Sequence, residues 1–278
     1  MSTTDNEFDF RTRTLGDIEA KLYLSFEESG LTVVTLDDAA QIVPKQQARR
    51  ALIRLEKKGW LERLRRGRYA IIPARQGFRD TRIISTFKFA GDIIPDTYVG
   101  WWAAAAFHGL TWQRPFLFHV AARNQHKPAS HEGITIEFVK VAKQKHFGVD
   151  DDNEEHARVS SIAKTAIDCL DRPELSGGIF ETAIILKAAA RRVGALALVD
   201  VAIQMNSVAT MRKLGFMLDT ISTDLFDAGS REKLQSMIPK SNRTRLGRKE
   251  EIAGDFGYVN DWQLHANISK AELIREVG

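Results

Sequence analysis

A single cysteine, Cys169, stands in a chain of 278 residues. One thiol excludes an internal disulfide framework and a cysteine-based zinc cluster. Long apolar runs are scarce too. The longest, residues 99–107, falls far short of the ~20 residues a membrane-spanning helix requires. The opening Met1-Ser2-Thr3-Thr4-Asp5-Asn6-Glu7 lacks the basic head and apolar core of an export signal. Catalytic signatures are missing as well: there is no His-Glu-x-x-His, no Gly-x-Ser-x-Gly and no P-loop. These absences point to a reduced, cytoplasmic protein with no membrane partner, no metal or cofactor and no enzymatic activity. A nuclease, the enzyme class most at home beside nucleic acid, would need a carboxylate or histidine cluster on structured elements.

What is present is an ordinary globular balance, 44% hydrophobic and 27% charged, in a length that suits two domains of ~100–150 residues. The charge is unevenly placed. Residues 44–75 hold eleven Lys and Arg against Glu56 and Glu62, a net +9 in a chain whose total is only +4. Residues 1–43 carry nine acids against Arg11, Arg13 and Lys21. A concentrated basic segment in an otherwise acidic chain is the footprint of a polyanion binder.

That segment has an ordered pattern. Residues 15–29 read as a helix with Leu15, Ile18, Leu22, Leu24 and Phe26 as its apolar residues, stopped by Gly30. A β-branched stretch follows at residues 32–34. Thr35, with Asp38 three residues on, caps a short second helix. Pro44 opens a third helix in its first turn, and Gly59 closes it. In this third helix Ala48, Ala51, Leu52 and Leu55 keep the i, i+3, i+4, i+7 spacing of a core-facing stripe.

The opposite face offers Lys45, Gln46, Arg49, Arg50, Arg54 and Lys57, and Gln and Arg are side chains that pair with adenine and guanine edges in the major groove. Ile53 on that face either touches a thymine methyl or is covered by another part of the chain. Residues 60–65 and 68–72, joined at Arg66-Gly67, read as a β-hairpin whose Arg63, Arg65, Arg66 and Arg68 would reach phosphates or the minor groove. Helix, helix, basic helix and basic hairpin is the order of a winged helix-turn-helix, placed at residues 1–76.

Residues 77–278 read as a larger mixed α/β domain, so the whole is an α+β chain. The pattern predicts helices over residues 77–94 and 98–110, strands over 116–121 and 134–141, and a loop over 123–132. An acidic turn follows at 150–155. Five further helices are predicted (from Ser160 or Ser161 to Cys169, then 178–192, 195–205, 207–218 and 230–237), and a final strand at 258–267 returns to the sheet. His108 reads as a packed histidine donating to a carbonyl, Cys169 as a core residue, and His126 and His131 as loop residues.

Several segments resemble the AbiEi family of antitoxins. They are Gly59-Trp60-Leu61-Glu62-Arg63-Leu64-Arg65-Arg66-Gly67-Arg68-Tyr69, then Tyr98-Val99-Gly100 through His108-Gly109-Leu110-Thr111 with Gln113 and Pro115. Further on come Ala163-Lys164-Thr165-Ala166-Ile167-Asp168 with Arg172-Pro173-Glu174 and Gly177-Gly178, and Arg212-Lys213-Leu214-Gly215-Phe216-Met217-Leu218. The order of these pieces along most of the chain carries the likeness. It implies a repressor that binds inverted repeats in its own operon's promoter and whose C-terminal domain neutralises a nucleotidyltransferase-type toxin. Trp101-Trp102 departs from the small residues commoner at that point. A second basic stretch, Lys240, Arg243, Arg245, Arg248 and Lys249, resembles a C-terminal loop of the family that would contact DNA or toxin or stay in solvent. The competing expectation is a stand-alone winged-helix transcription factor whose second domain senses a ligand or dimerises.

Overall fold

In the computed structural model, the residues described are 14–31, 33–65, 67–72, 74, 85–131, 133–151, 153, 157–239, 244–246 and 257–277. The chain divides into two compact units, Met1–Ser85 and Thr86–Gly278. The boundary expected at residue 76 falls among residues 75–84, outside the described residues.

The first unit runs α1 (Asp17–Glu28), β1 (Val33–Thr35), α2 (Leu36–Ile42), α3 (Lys45–Lys57), β2 (Leu61–Arg65) and β3 (Arg68–Ile71). The three strands form an antiparallel sheet in the order β1-β3-β2. Thr35 caps α2 as its sequence predicts: its hydroxyl accepts from the Asp38 N–H at 3.2 Å, and the Asp38 carboxylate accepts from the Thr35 N–H at 2.7 Å. Pro44 sits one position earlier than expected, as the residue before α3, with the extended ψ of 136° that starts a helix.

The core joins Leu22, Phe26, Val34, Ala39, Leu61, Tyr69 and Ile71 to the four residues expected on α3, Ala48, Ala51, Leu52 and Leu55. Each buried leucine contributes ~1.5–3 kcal/mol. One core assignment is corrected. Leu24 is 59% exposed, because at about 100° per residue it lies roughly opposite Leu22. Tyr23 takes the buried place instead, its hydroxyl 2.7 Å from the Ile72 carbonyl oxygen and its ring edge-on to Trp60.

The second unit begins with α4 (Thr86–Asp92), β4 (Tyr98–Val99), α5 (Trp101–Phe107), β5 (Leu117–Ala122), β6 (Ala129–His131), β7 (Ile134–Lys140), β8 (Val149–Asp150) and β9 (Val159–Ser160). The six strands make one mixed sheet, β6-β7-β5-β4-β9-β8, in which β5 runs parallel to β7 and antiparallel to β4. The sheet corrects two expectations. The helix predicted over 98–110 is a strand followed by a shorter helix, because Trp101, at φ +51°, turns the chain out of β4. The loop predicted over 123–132 contains β6, a strand fixed by antiparallel pairing to β7. Of the helix predicted over 77–94, Thr86–Asp92 is helical, and residues 77–84 lie outside the described residues.

The helices follow: α6 (Ile162–Asp171), α7 (Ile179–Val193), α8 (Ala195–Gln204), α9 (Val208–Ile221) and α10 (Ala228–Ser236). Ser161 caps α6, accepting from the Lys164 N–H. Then come β10 (Thr244–Arg245), β11 (Tyr258–Val259), β12 (Leu264–His265) and a terminal α11 (Lys270–Val277) that the periodicity does not predict. The tail strand does not return to the large sheet. It forms a separate three-stranded sheet, β10-β12-β11, held against α9. There the buried Arg212 donates to Thr244 Oγ1, the Pro239 carbonyl and Gln263 Oε1 at 3.2, 3.0 and 3.1 Å.

α6 is the centre of this unit, with every residue from Lys164 to Leu170 buried. Two of them are charged. Lys164 and Asp168, one helical turn apart, pair inside the core, and Lys164 Nζ also donates to the Tyr98 hydroxyl at 3.3 Å. Burial pushes the Asp168 carboxyl up while Lys164 opposes the shift. Removal from water, reinforced by the Asp168 charge, pushes the Tyr98 phenol up.

Candidate nucleic-acid interface

α3 separates its chemistry by face. Ala48, Ala51, Leu52 and Leu55 are at most 1% exposed, whereas Lys45, Gln46, Arg49, Arg50, Ile53, Arg54 and Lys57 are all exposed. At about 100° per residue those seven spread over roughly half the circumference. Ile53 remains 40% exposed, so the hairpin of the same unit does not cover it.

The cations on this face are not equivalent. Among the described residues, Arg49 and Arg50 have no ion pair or hydrogen bond. Lys45 lies 3.4 Å from Asp37, with both side chains largely in water, a pair worth little. Arg54 is the exception to the expectation of a purely outward cation, since its Nε forms an ion pair with Glu19 Oε1 at 2.9 Å. Lys58 donates to Glu19 Oε2 at 2.5 Å. Burial alone would raise the Glu19 carboxyl, but the Gly16 N–H and the Lys58 and Arg54 cations hold it below its usual value.

The sequence reading misses Glu19, although a cue is there. With Leu22, Tyr23 and Phe26 it completes an i, i+3, i+4, i+7 stripe on α1, so a carboxylate occupies a core position and requires a partner.

The hairpin follows α3 directly. Arg63 pairs with Tyr69 and Arg65 with Arg68 across it, the register slipping between Arg63 and Arg65. Gly67 takes φ +78° in the turn, a conformation that favours glycine. Arg63 is exposed and Arg68 half-buried. Arg66 and the side chain of Arg65 lie outside the described residues. Exposed guanidinium and ammonium groups on a helix and an adjoining hairpin can pair with phosphate oxygens, and Gln46, Arg49 and Arg50 have the donors and acceptors that base edges require.

Four side chains singled out in the sequence of the second unit have defined surroundings. His108 Nε2 donates to the Ser160 carbonyl at 2.6 Å, as expected of a packed histidine, and burial lowers its pKa. Cys169 is fully buried, which pushes its thiol up and leaves it a core residue. His131 lies in β6 and stacks on Phe89, correcting its placement in a loop, and His126 sits edge-on to Phe138.

Among the described residues no group of three or more His, Cys, Asp or Glu could hold a metal ion. In the predicted acidic turn Asp150 pairs in β8, and Asn153 makes two hydrogen bonds to the Ala157 backbone. Asp152, Glu154 and Glu155 lie outside the described residues. So do Lys240, Arg243, Arg248 and Lys249, which leaves the exposed Arg245 of β10 from the second basic stretch.

No helix among the described residues is long and apolar enough to cross a membrane. No family model matches the chain, and no curated protein matches it. Among solved structures the chain is similar to the RV2827C protein from Mycobacterium tuberculosis, known from a crystal structure. That likeness has a TM-score of 0.55 at 14% sequence identity and covers 95% of this chain and 96% of that one. At such identity it is a likeness of fold, a mixed α+β architecture spanning both units.

Proposed function

We propose that the first unit is a winged helix-turn-helix that binds double-stranded DNA, with α3 in the major groove and the β2–β3 hairpin on the flanking backbone. The order α1-β1-α2-α3-β2-β3 and the β1-β3-β2 sheet support that reading. The observation that carries it is the state of Arg49 and Arg50: exposed and without an ion pair among the described residues, on a helix whose other face is core. In this reading Gln46, Arg49 and Arg50 meet base edges, while Lys45, Lys57, Arg63, Arg65, Arg66 and Arg68 meet phosphates.

The biological role we propose is that of an AbiEi-type antitoxin, repressing its own operon at inverted repeats and neutralising a nucleotidyltransferase-like toxin. The partner half of this proposal is supported by the loop between α5 and β5. There Trp112 is 99% and Phe116 80% exposed, although the loop is pinned through the Thr111 hydroxyl, which donates to Glu181. Exposed aromatics beside an arginine, here Arg114, are the residues that most often anchor protein interfaces.

The test is twofold. Fluorescence anisotropy with duplexes from the upstream promoter should give tighter binding than scrambled duplexes, and equal binding to both would refute operator recognition. Co-expression with the adjacent open reading frame should rescue growth. Failure of rescue together with intact operator binding would favour a stand-alone transcription factor.

A further inference from the structure

Glu19 is a carboxylate from the first helix set against the C-terminal end of the third. Its side chain is 4% exposed. Oε2 accepts from the Gly16 N–H at 3.0 Å and from Lys58 at 2.5 Å, and Oε1 forms an ion pair with Arg54 Nε at 2.9 Å. Arg54 and Lys58 therefore share one anion, whereas Arg49 and Arg50, a turn earlier on the same helix, have none among the described residues. The Arg54 side chain is 52% exposed. The ammonium of Lys58 is a point charge and its side chain only 30% exposed.

We infer that Glu19 is an internal counterion of the DNA-binding face, withholding Lys58 from phosphate while holding Arg54 in one orientation. The inference rests on the DNA-binding reading above and adds to it a residue that sets how much sequence-independent charge α3 presents. Phosphate contacts strengthen binding to every sequence alike. A carboxylate that neutralises one of them lowers affinity for random duplex and leaves the base-reading residues to discriminate.

The experiment is the salt dependence of duplex binding by the full chain, with Glu19→Gln and Lys58→Gln made singly and together. Glu19→Gln keeps the size of the side chain and removes its charge, so the substitution isolates the charge. It is expected to steepen the slope of log K against log salt by about 0.9, one additional phosphate. Random-duplex binding should tighten about eightfold at 0.1 M salt by the same relation. Lys58→Gln alone is expected to leave the slope of the parent protein unchanged, and in the Glu19→Gln background to abolish the gain.

An unchanged or shallower slope in Glu19→Gln overturns the inference. A slope loss in the Lys58→Gln single variant equal to that of Arg63→Ala overturns it equally, and that comparison decides the matter even if Glu19→Gln fails to fold. A parent protein that binds no duplex at all removes the DNA-binding reading itself, an outcome recognisable because Arg63→Ala then has no slope to lose.

Discussion

Trp262 occupies the space that a side chain at Gly215 would fill. A Cβ at position 215 would lie 2.2 Å from Cε3 of the Trp262 ring, and real carbon atoms never approach so closely. The indole Nε1 donates to Asp219 at 2.7 Å, one turn further along α9, and the Arg231 guanidinium lies 5.4 Å from the ring centroid. The close approach of Gly215 thus fixes where the β10-β12-β11 sheet docks. Gly215→Ala is expected to destabilise the protein by about 3 kcal/mol, the upper range for overpacking a core, read as a lowered urea midpoint. An unchanged midpoint would mean that Trp262 is free to move aside.

The Lys164–Asp168 pair predicts an asymmetry between single and double substitutions. Lys164→Met strands a buried carboxylate and should cost ~3–5 kcal/mol, whereas replacing both charges with apolar residues of similar volume should recover most of that loss. Chemical denaturation of the three variants measures it. Additive losses in the double variant would show that the two side chains act independently.

His108 and His119 predict how stability varies with pH. Burial lowers both pKa values below the ordinary 6.5, so the folded protein favours the neutral rings. Their contribution is present above pH 6.5 and is lost as the pH falls through the lower folded values. Carboxylates with lowered values, such as Asp171, held down by Lys145 and Thr210 against its burial, keep their contribution until the pH falls into the carboxylate range itself. Thermal midpoints should therefore decline as the pH falls below 6.5, and the decline should be shallower in His108→Gln, whose amide can still donate to Ser160. An identical slope in the variant would assign the decline to other groups.

The proposed division of labour on α3 and the hairpin predicts different losses. Arg50→Ala should reduce the preference for operator over random duplex by ~1–3 kcal/mol. Arg63→Ala and Arg66→Ala should weaken both duplexes alike and lower the salt slope by about 0.9 each. Competition binding at two salt concentrations separates the two classes. Equal losses on operator and random DNA for all three variants would contradict the assignment.

What can be read from the sequence follows the strength of local patterns. The buried stripe of α3 and the Thr35 cap are local, with fixed spacings, and both are visible without coordinates. Strands β4, β8 and β10–β12 are two residues long, too short to show an alternation, and exist because a partner strand pairs with them. The same reason hides β6 among His- and Asn-rich residues and sends the tail to a second sheet. Leu24 is misplaced when apolar character is counted without its angle on the helix. Glu19 escapes notice because its partners, Arg54 and Lys58, lie 35 and 39 residues along the chain. The exposure of Trp112 and Phe116 leaves no trace in composition either, since an aromatic residue in a loop is as often packed beneath it.

The most direct measurement is the salt dependence of promoter-duplex binding by the native protein and by Arg49→Ala/Arg50→Ala. A DNA-binding α3 requires log K to fall linearly with log salt in the native protein, and the double substitution to lower the preference for operator over scrambled sequence. Salt-independent binding, or a double variant indistinguishable from the native protein, would contradict it.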